Sequence, residues 1–525
     1  MHGYEYLRSS HYPLPAYRTL CRRLQELEIN FGIFRDLRTP LLSKIENLDK
    51  FCILSIDEMH INDSIAVNKH EMKFSVNITL GPVQEKGNQL LVALLRGAMD
   101  PWKQVVGCHI TGNQTSGVEM KNFIFECIDF AAELGLTVIA ISSDMGGKNR
   151  NLWKMLNVSV NKQGARTNKF DYKGKAVYVI ADQCHLLKNL KSALLGGYIK
   201  IPEYFKNKEN LVTEHVTGFH IKSLWEKEVS ENREIRLLHH LKNEDIYPDN
   251  FQKMHVGAAV RFFSLQTVAA IRAAVELKEL PEEALSTAAF IKLVYDWFEI
   301  MNSKVRKTSI TKRNHVQKLE FLMKFITTIN DTQFNSNGWK PLNTGLILTT
   351  LSICDLSHVL FKHRYEFILT HRFAQDGVEN VFSQVRRRAG KLPSSRDCLN
   401  VIKLISVSQF ISDVKRTNYC ADSDITLVEH CKNLSTAVLK SGPSITHLDH
   451  SYYFDAFSLN SYKLQTVPLQ ENYMELDLKS LNLIYNIGGS TVHSCIKKCC
   501  SSCQTLLLDN GNDEYSKKNK IVENL

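Results

Sequence analysis

Four carboxylates in this chain stand where a strand or a helix would deliver them to one place. The run FCILSIDEMH (Phe51–His60) is apolar until it reaches Asp57 and Glu58, and TVIAISSD (Thr137–Asp144) ends in the same way at Asp144. The next residues, MGGKN, include a glycine pair that permits close backbone approach. In QDGVENVFSQVRRRAGK, Glu379 lies in a helical stretch with Asp376 three residues earlier on the same face, which Ser383 and Arg386 continue. Val378, Val381, Phe382 and Val385 recur at helical spacing on the other side and should face the core. Acids at the ends of neighbouring strands, joined by one from a covering helix, suit two hard divalent cations. Held about 3.5–4 Å apart, such cations bridge the attacking and leaving oxygens of a phosphodiester. Each acid also has a plain structural reading, because a strand-end Asp commonly caps a helix or forms a turn. Their joint occurrence carries the chemical reading. Alternation along the first strand sets Ser55, Asp57 and Met59 on one face and Ile56, Glu58 and His60 on the other. Asp57 is then the ligand, and Glu58 a supporting or solvent-facing group.

Elements to position these acids follow from the hydrophobic pattern. Residues 51 to about 200 read as α/β, with strands at Phe51–Asp57, Lys73–Leu80, Gln89–Leu95 and Gln104–Thr111, an amphipathic helix over Gly117–Leu134, and further strands at Thr137–Asp144 and Ala176–Asp182. The last of these enters a helix through CHLLKNLKSALL. A mixed sheet flanked by helices is the outcome. Residues 205–365 lose the strand signal and read as an all-α block. Residues 366–430 close the sheet domain with the Glu379 helix, which Gly390 ends. Before all this, residues 1–45 form a basic segment in which YPLPAYRTLCRRLQEL places Arg18, Arg22 and Arg23 beside an apolar Leu20/Leu24 face, as in the second helix of a helix-turn-helix. An amphipathic surface helix with solvated arginines is the competing reading. Residues 431–525 are weakly patterned, and hold HSCIKKCCSSC (His493–Cys503), whose Cys500-x-x-Cys503 has the spacing of half a Zn²⁺ site.

Composition narrows the partners. The formal charge of +10, from 65 Lys+Arg against 55 Asp+Glu in 525 residues, leans toward a polyanion such as DNA but is equally compatible with ordinary solubility. Thirteen cysteines, mostly scattered singly, suit a reduced compartment better than a disulfide framework. No window approaches about 18 consecutive apolar residues, so no membrane association is expected. There is no GxxxxGK[ST], which excludes a P-loop nucleotide site.

On LSIDEM (54–59), WKQVVG (102–107), SSDMGGKNRNLWKML (142–156), the DxxHLLKN run from Asp182 to Asn189, and QDGVENVFSQVRRRAG (375–390), the chain resembles the P-element transposase family. With YPLPAYRTLCRRL the resemblance covers roughly residues 3–400. It implies an RNase H-like catalytic domain interrupted by a helical GTP-binding insertion, a nuclear location, and assembly as a homo-oligomer on DNA. The implied activity is cut-and-paste DNA transposition with Mg²⁺ or Mn²⁺. The implied acidic triad is Asp57, Asp144 and Glu379, which would also hold the metal, with Asp376 as an auxiliary acid. Asp182 and His185 fall on the family's DxxH motif, where His185 reads equally as a brace at the strand-to-helix junction.

The same resemblance assigns guanine recognition to DWFEIMN (Asp296–Asn302), with Glu299 and Asn302 as the reading groups near Phe298. Two departures accompany it. Glu299 stands where the family's pattern leads one to expect Asp, and His255 and Gly257 stand where a phosphate-contacting lysine is expected. Nor does this sequence carry an early Cys/His framework like the family's zinc-coordinating THAP domain. The alternative function is a domesticated, transposase-derived DNA-binding protein that no longer transposes.

Overall fold

A computed structural model describes residues 29–42 and 49–407, except 63–65, 68–73, 76–77, 82–85, 114, 165, 251 and 336–337, together with 425–426. The basic segment bearing Arg18, Arg22 and Arg23 and the cysteine cluster at His493–Cys503 lie outside the described residues.

Three long strands form the antiparallel half of the central sheet: β2 (Phe51–His60), β3 (Gln89–Gly97) and β4 (Trp102–Thr111), with the short β1 (Gly32–Ile33) on the outer edge of β4. β3 and β4 are buried along nearly their whole length, so they read as continuous apolar runs rather than alternating ones. Helix α1 (Gly117–Glu133) crosses over, started by a reciprocal capping box between Ser116 and Glu119. It feeds β5 (Thr137–Ser143), which lies parallel to β2. Helix α2 (Gly147–Met155) follows, then the hairpin β6 (Lys169–Tyr172) and β7 (Lys175–Ala181), with β7 parallel to β5. The sheet order is β1-β4-β3-β2-β5-β7-β6, and Ile425–Thr426 pairs in parallel with the start of β4. The expected α/β architecture with a mixed sheet is therefore present. Of the expected strand over Lys73–Leu80, Phe74–Ser75 pairs with Ala66–Val67, and Thr79 and Leu80 donate singly to the Ile110 carbonyl; residues 73 and 76–77 lie outside the described residues.

Helix α3 (Gln183–Gly196) leads out of the sheet into the insertion, which is not wholly helical. β8 (Tyr198–Lys200) sits between β9 (His215–Thr217) and β10 (Gln333–Phe334) in a small antiparallel sheet that draws together the start and end of the block. Between them run α4 (Leu265–Glu276), α5 (Ala284–Met301) and α6 (His315–Asp331). Helix α7 (Pro341–Lys362) falls inside the expected 205–365 block but belongs with the sheet. Its Thr349 hydroxyl donates to the Ala181 carbonyl (2.8 Å) and accepts from the Ala181 N–H (2.9 Å), and Ser352 Oγ donates to the Val179 carbonyl (2.7 Å). Small and hydroxylated residues let α7 approach this closely; a Cβ at Gly345 would stand 2.1 Å from Met145 Sδ. Val256–Glu276 and Pro341–Lys362 are long and apolar enough to cross a membrane by composition, yet 56% and 67% of them is buried inside the fold. The first is also broken between two helices at Phe263–Ser264.

The chain returns through a 3₁₀ turn (Thr370–Phe373) to α8 (Asp376–Ala389), which lies across β2 and β3 and packs on α9 (Ser395–Val407). Val378, Val381, Phe382 and Val385 are all buried, as their spacing predicts. Two arginines fix the turn: Arg96 on β3 donates to the His371 carbonyl at 3.0 Å, and Arg372 donates to the carbonyls of Gly97 and Asp100.

Candidate active site

The parallel register explains where these acids stand. Ser55 pairs with Ser142 and Ser143 with Ala181. Continued by two residues and by one, that register brings Asp57, Asp144 and Asp182 side by side just past the end of the parallel pairing, the edge at which open α/β sheets place ligands; β2 itself does not end at Asp57, as its sequence suggests, but runs on to His60 paired with β3. Below them, Ser55 and Ser142 are small and fully buried, and their hydroxyls have no hydrogen-bond partner.

Neighbouring charges act on Asp57. Burial pushes the Asp57 carboxyl well above the usual range, and the neighbouring carboxylates of Glu379, Asp144 and Asp182 push it further. The Glu58 N–H, donated to Asp57 Oδ1 at 2.8 Å, only partly offsets this. Glu379, almost wholly buried on α8, places Oε1 3.6 Å from His185 Nε2. Asp144 turns back into its own loop, where Oδ1 accepts from Gly146 N (2.9 Å) and Asn149 Nδ2 (2.5 Å). A Cβ at Gly146 would lie 3.0 Å from the same oxygen, a tight approach that glycine avoids. Like charges in a low-dielectric site separate onto local donors in this way. Accordingly, no group of three or more His, Cys, Asp or Glu side chains among the described residues is gathered tightly enough to hold a metal ion.

Asp182 has a different task. Its Oδ2 accepts from His185 N (2.8 Å), capping α3, and its Oδ1 accepts from Gln375 N (2.9 Å) at the start of α8. The Gln375 side chain donates to the Ile56 carbonyl at 2.5 Å, one residue before Asp57. Thus the helix carrying Glu379 is tied to both flanking strands. Asp376, at the first turn of α8, is buried with Oδ1 3.9 Å from the Cys184 thiol.

Residues missed by sequence reasoning surround this core. Lys148 donates to both oxygens of Glu58 (2.9 and 3.0 Å) and to Gln89 Oε1 (2.5 Å), and Thr111 donates to Glu58 Oε1 at 2.5 Å. Glu58 is therefore an anchor for the loop after Asp144 and does not simply face solvent. Lys148 and Asn149 lie within the SSDMGGKN motif, but nothing in one sequence reveals which partner each takes. Gln375 and Asp182 are nearly two hundred residues apart in sequence, and only the fold joins them.

In the insertion, Phe298, Glu299 and Asn302 share the end of α5. Phe298 is buried beside Trp297, whereas Glu299 is exposed at its tip, with its pKa raised by partial desolvation against an opposing pull from Lys318. Asn302 Oδ1 is buried and has no hydrogen-bond partner. Near His255, which caps the next helix by accepting from Ala258 N, α3 supplies Lys191. Its ammonium is buried without a hydrogen-bond partner, 5.8 Å from the Phe262 ring, and burial lowers its pKa to about 8. Lys191 thus lies near His255 although it comes from a different helix.

A mixed sheet with acids beside its parallel strands, a covering acidic helix and a helical insertion between them are the parts of an RNase H-like fold. Residues 29–157 match the TNP-like RNase H N-terminal domain, and residues 184–314 match the TNP-like GTP-binding insertion domain. The chain is 25% identical over 399 residues to the Transposable element P transposase of Drosophila melanogaster, covering 74% of this chain and 49% of that protein. It is 22% identical over 426 residues to DNA transposase THAP9 of Homo sapiens, covering 75% of this chain and 45% of that one. The Drosophila P element transposase strand transfer complex shares the fold, with a TM-score of 0.64 at 23% identity over 78% of this chain and 89% of that one. The chain is thus similar to P-element transposases over about three quarters of its length. It spans about half the length of the curated relatives it matches.

Proposed function

We propose that the protein is a DNA transposase of P-element type, acting by metal-dependent strand cleavage and strand transfer, with GTP as an assembly cofactor. The observation that supports this reading is the strand register that aligns Asp57 with Asp144, with Glu379 near enough that its charge, like that of Asp144, raises the Asp57 pKa. The donor set is all carboxylate oxygen, which fits Mg²⁺ or Mn²⁺. When bound, such cations supply Lewis-acid activation of the attacking oxygen and charge stabilisation at the leaving one. The chain's own residues do the rest. Asp57 and Asp144 present oxygens from rigid strand ends, Glu379 completes the set from α8, and His185 orients Glu379. Asp376 supports the first turn of that helix rather than binding metal.

GTP suits the insertion on chemical grounds. Guanine offers N1–H and N2–H₂ donors, and Glu299 and the unsatisfied Asn302 Oδ1 are acceptors. Lys191, whose ammonium has no hydrogen-bond partner, supplies a cation suited to a phosphate. The related proteins' names support DNA as substrate, and we extend this to transposon ends and target DNA bound by a homo-oligomer in the nucleus.

A strand-transfer assay with pre-cleaved DNA ends tests the reading. We expect joined product with Mg²⁺ or Mn²⁺, loss with a chelator, and stimulation by GTP over ATP. DNA binding with no joined product under any of these conditions would instead support a domesticated DNA-binding protein.

A further inference from the structure

A second site lies beside the acids. Helix α2, which begins three residues after Asp144, forms one side of a surface cavity of about 230 Å³, and the Val158–Asn161 segment and the start of α7 form the other. Two indoles line it. Trp153 is buried, with its N–H donated to Ser143 Oγ at 3.2 Å; Trp339 is half-buried, with its N–H donated to Thr344 Oγ1 at 2.8 Å. Thr344 donates in turn to the Val160 carbonyl at 3.2 Å, which fastens α7 to the opposite wall. Both indole donors are therefore committed; Trp339 offers a ligand apolar aromatic surface, and the buried Trp153 backs the wall behind it. At the mouth, Arg150 and Lys154 stand one helical turn apart on α2, both exposed and neither in an ion pair among the described residues.

Aromatic walls with two adjacent unpaired cations call for a ligand that is planar at one end and anionic at the other. The cavity is smaller than the ~300–1,000 Å³ typical of pockets that enclose a whole drug-sized ligand, and so suits a single ring system. We infer that this cavity receives one unpaired base of the DNA strand entering the active site, with the adjoining phosphate held by Arg150 and Lys154. The inference rests on the transposase reading and deepens it. Position favours a strand end over a free nucleotide. Trp153 is bonded to the residue before Asp144, and Asn149, next to Arg150, is bonded to Asp144 itself. A base held here has its backbone beside the acids. An already single-stranded base enters without the unpairing cost that a duplex base carries. Stacking on an aromatic side chain accepts any base, so the pocket sets strand position and not sequence.

The test compares binding of the full chain to a blunt duplex and to the same duplex with a short single-stranded extension carrying 2-aminopurine. We expect the extension to tighten binding by about 5- to 150-fold, the range for one base stacked on an aromatic ring, and to quench the 2-aminopurine emission. Trp339→Leu should remove both effects and leave blunt-duplex affinity unchanged. The exposed charge reversal Arg150→Glu, which leaves the cavity walls intact, should also remove the preference. Extension preference and quenching that survive in both variants would overturn the inference, as would a wild-type protein with no preference. If a nucleoside monophosphate quenches tryptophan emission while the extension confers no preference, the site takes free nucleotide and the strand-end assignment fails. Failure to bind even the blunt duplex would overturn the transposase reading itself, which separates the two.

Discussion

Asp182 holds two helices with one carboxylate, its Oδ2 accepting from His185 N and its Oδ1 from Gln375 N, so that α3 and the Glu379 helix share a single anchor at the end of β7. Hydrogen bonds to a charged acceptor are worth about 1.5–3 kcal/mol each, and losing an N-cap costs about 0.5–2 kcal/mol. Asp182→Ala should therefore destabilise the protein by about 2–4 kcal/mol. Asp182→Asn, with one acceptor oxygen in place of two, should fall between. Denaturant unfolding measures both, and an alanine variant as stable as wild type would refute the shared anchor.

His185 acts on the site through Glu379. Groups that orient a metal-binding side chain typically affect metal affinity or activity by about 10–100-fold. His185→Gln should lower strand transfer by that order and shift the Mn²⁺ dependence to higher concentration, while folding stability stays close to wild type. A variant with reduced activity but an unmoved metal dependence would make His185 a structural brace only.

The charge cluster opposes folding in the absence of cation. Removing one of the mutually repelling carboxylates relieves that opposition, so Asp57→Asn should unfold at a higher temperature than wild type in chelator while losing strand transfer. Added Mn²⁺ should raise the unfolding temperature of wild type and leave that of the variant nearly unmoved. A variant less stable than wild type in chelator would contradict the convergence.

Lys191 gives the insertion a signature in pH. Its folded pKa, about 8, lies below the ordinary lysine value of 10.5, so the folded state binds fewer protons than the unfolded chain between those values, and stability rises with pH across that window. Discounted for partial solvent screening, the gain is on the order of 1–2 kcal/mol. Lys191→Met should abolish that rise, stabilise the protein at pH 7 and weaken GTP binding. Unchanged GTP affinity in Lys191→Met would remove the lysine from the nucleotide site.

Much of this site could be read from spacing, because β2, β5 and β7 are apolar runs that stop at an acid, and α8 separates its valines from Asp376 and Glu379 at helical period. Alternation also separated Asp57 from Glu58, though not the ion pair that gives Glu58 its purpose. Over Lys73–Leu80 alternation reports one apolar face, but which strand pairs with Phe74–Ser75 is decided elsewhere in the chain. Helix α7 read as part of the insertion because its apolar composition does not say which partner buries it; its hydroxyls on the β7 backbone do. Arg96 and Arg372, each tied to a segment far away in sequence, carry no local pattern at all.

Calorimetric titration of Mn²⁺ into the full chain and into Asp57→Asn, Asp144→Asn and Glu379→Gln tests most directly whether the strand-end acids and the helix acid form one centre. We expect binding to wild type and its loss, or weakening by at least about tenfold, in each of the three variants. Wild-type affinity in Glu379→Gln would contradict the account, since the helix acid would then stand outside the centre that the strands build.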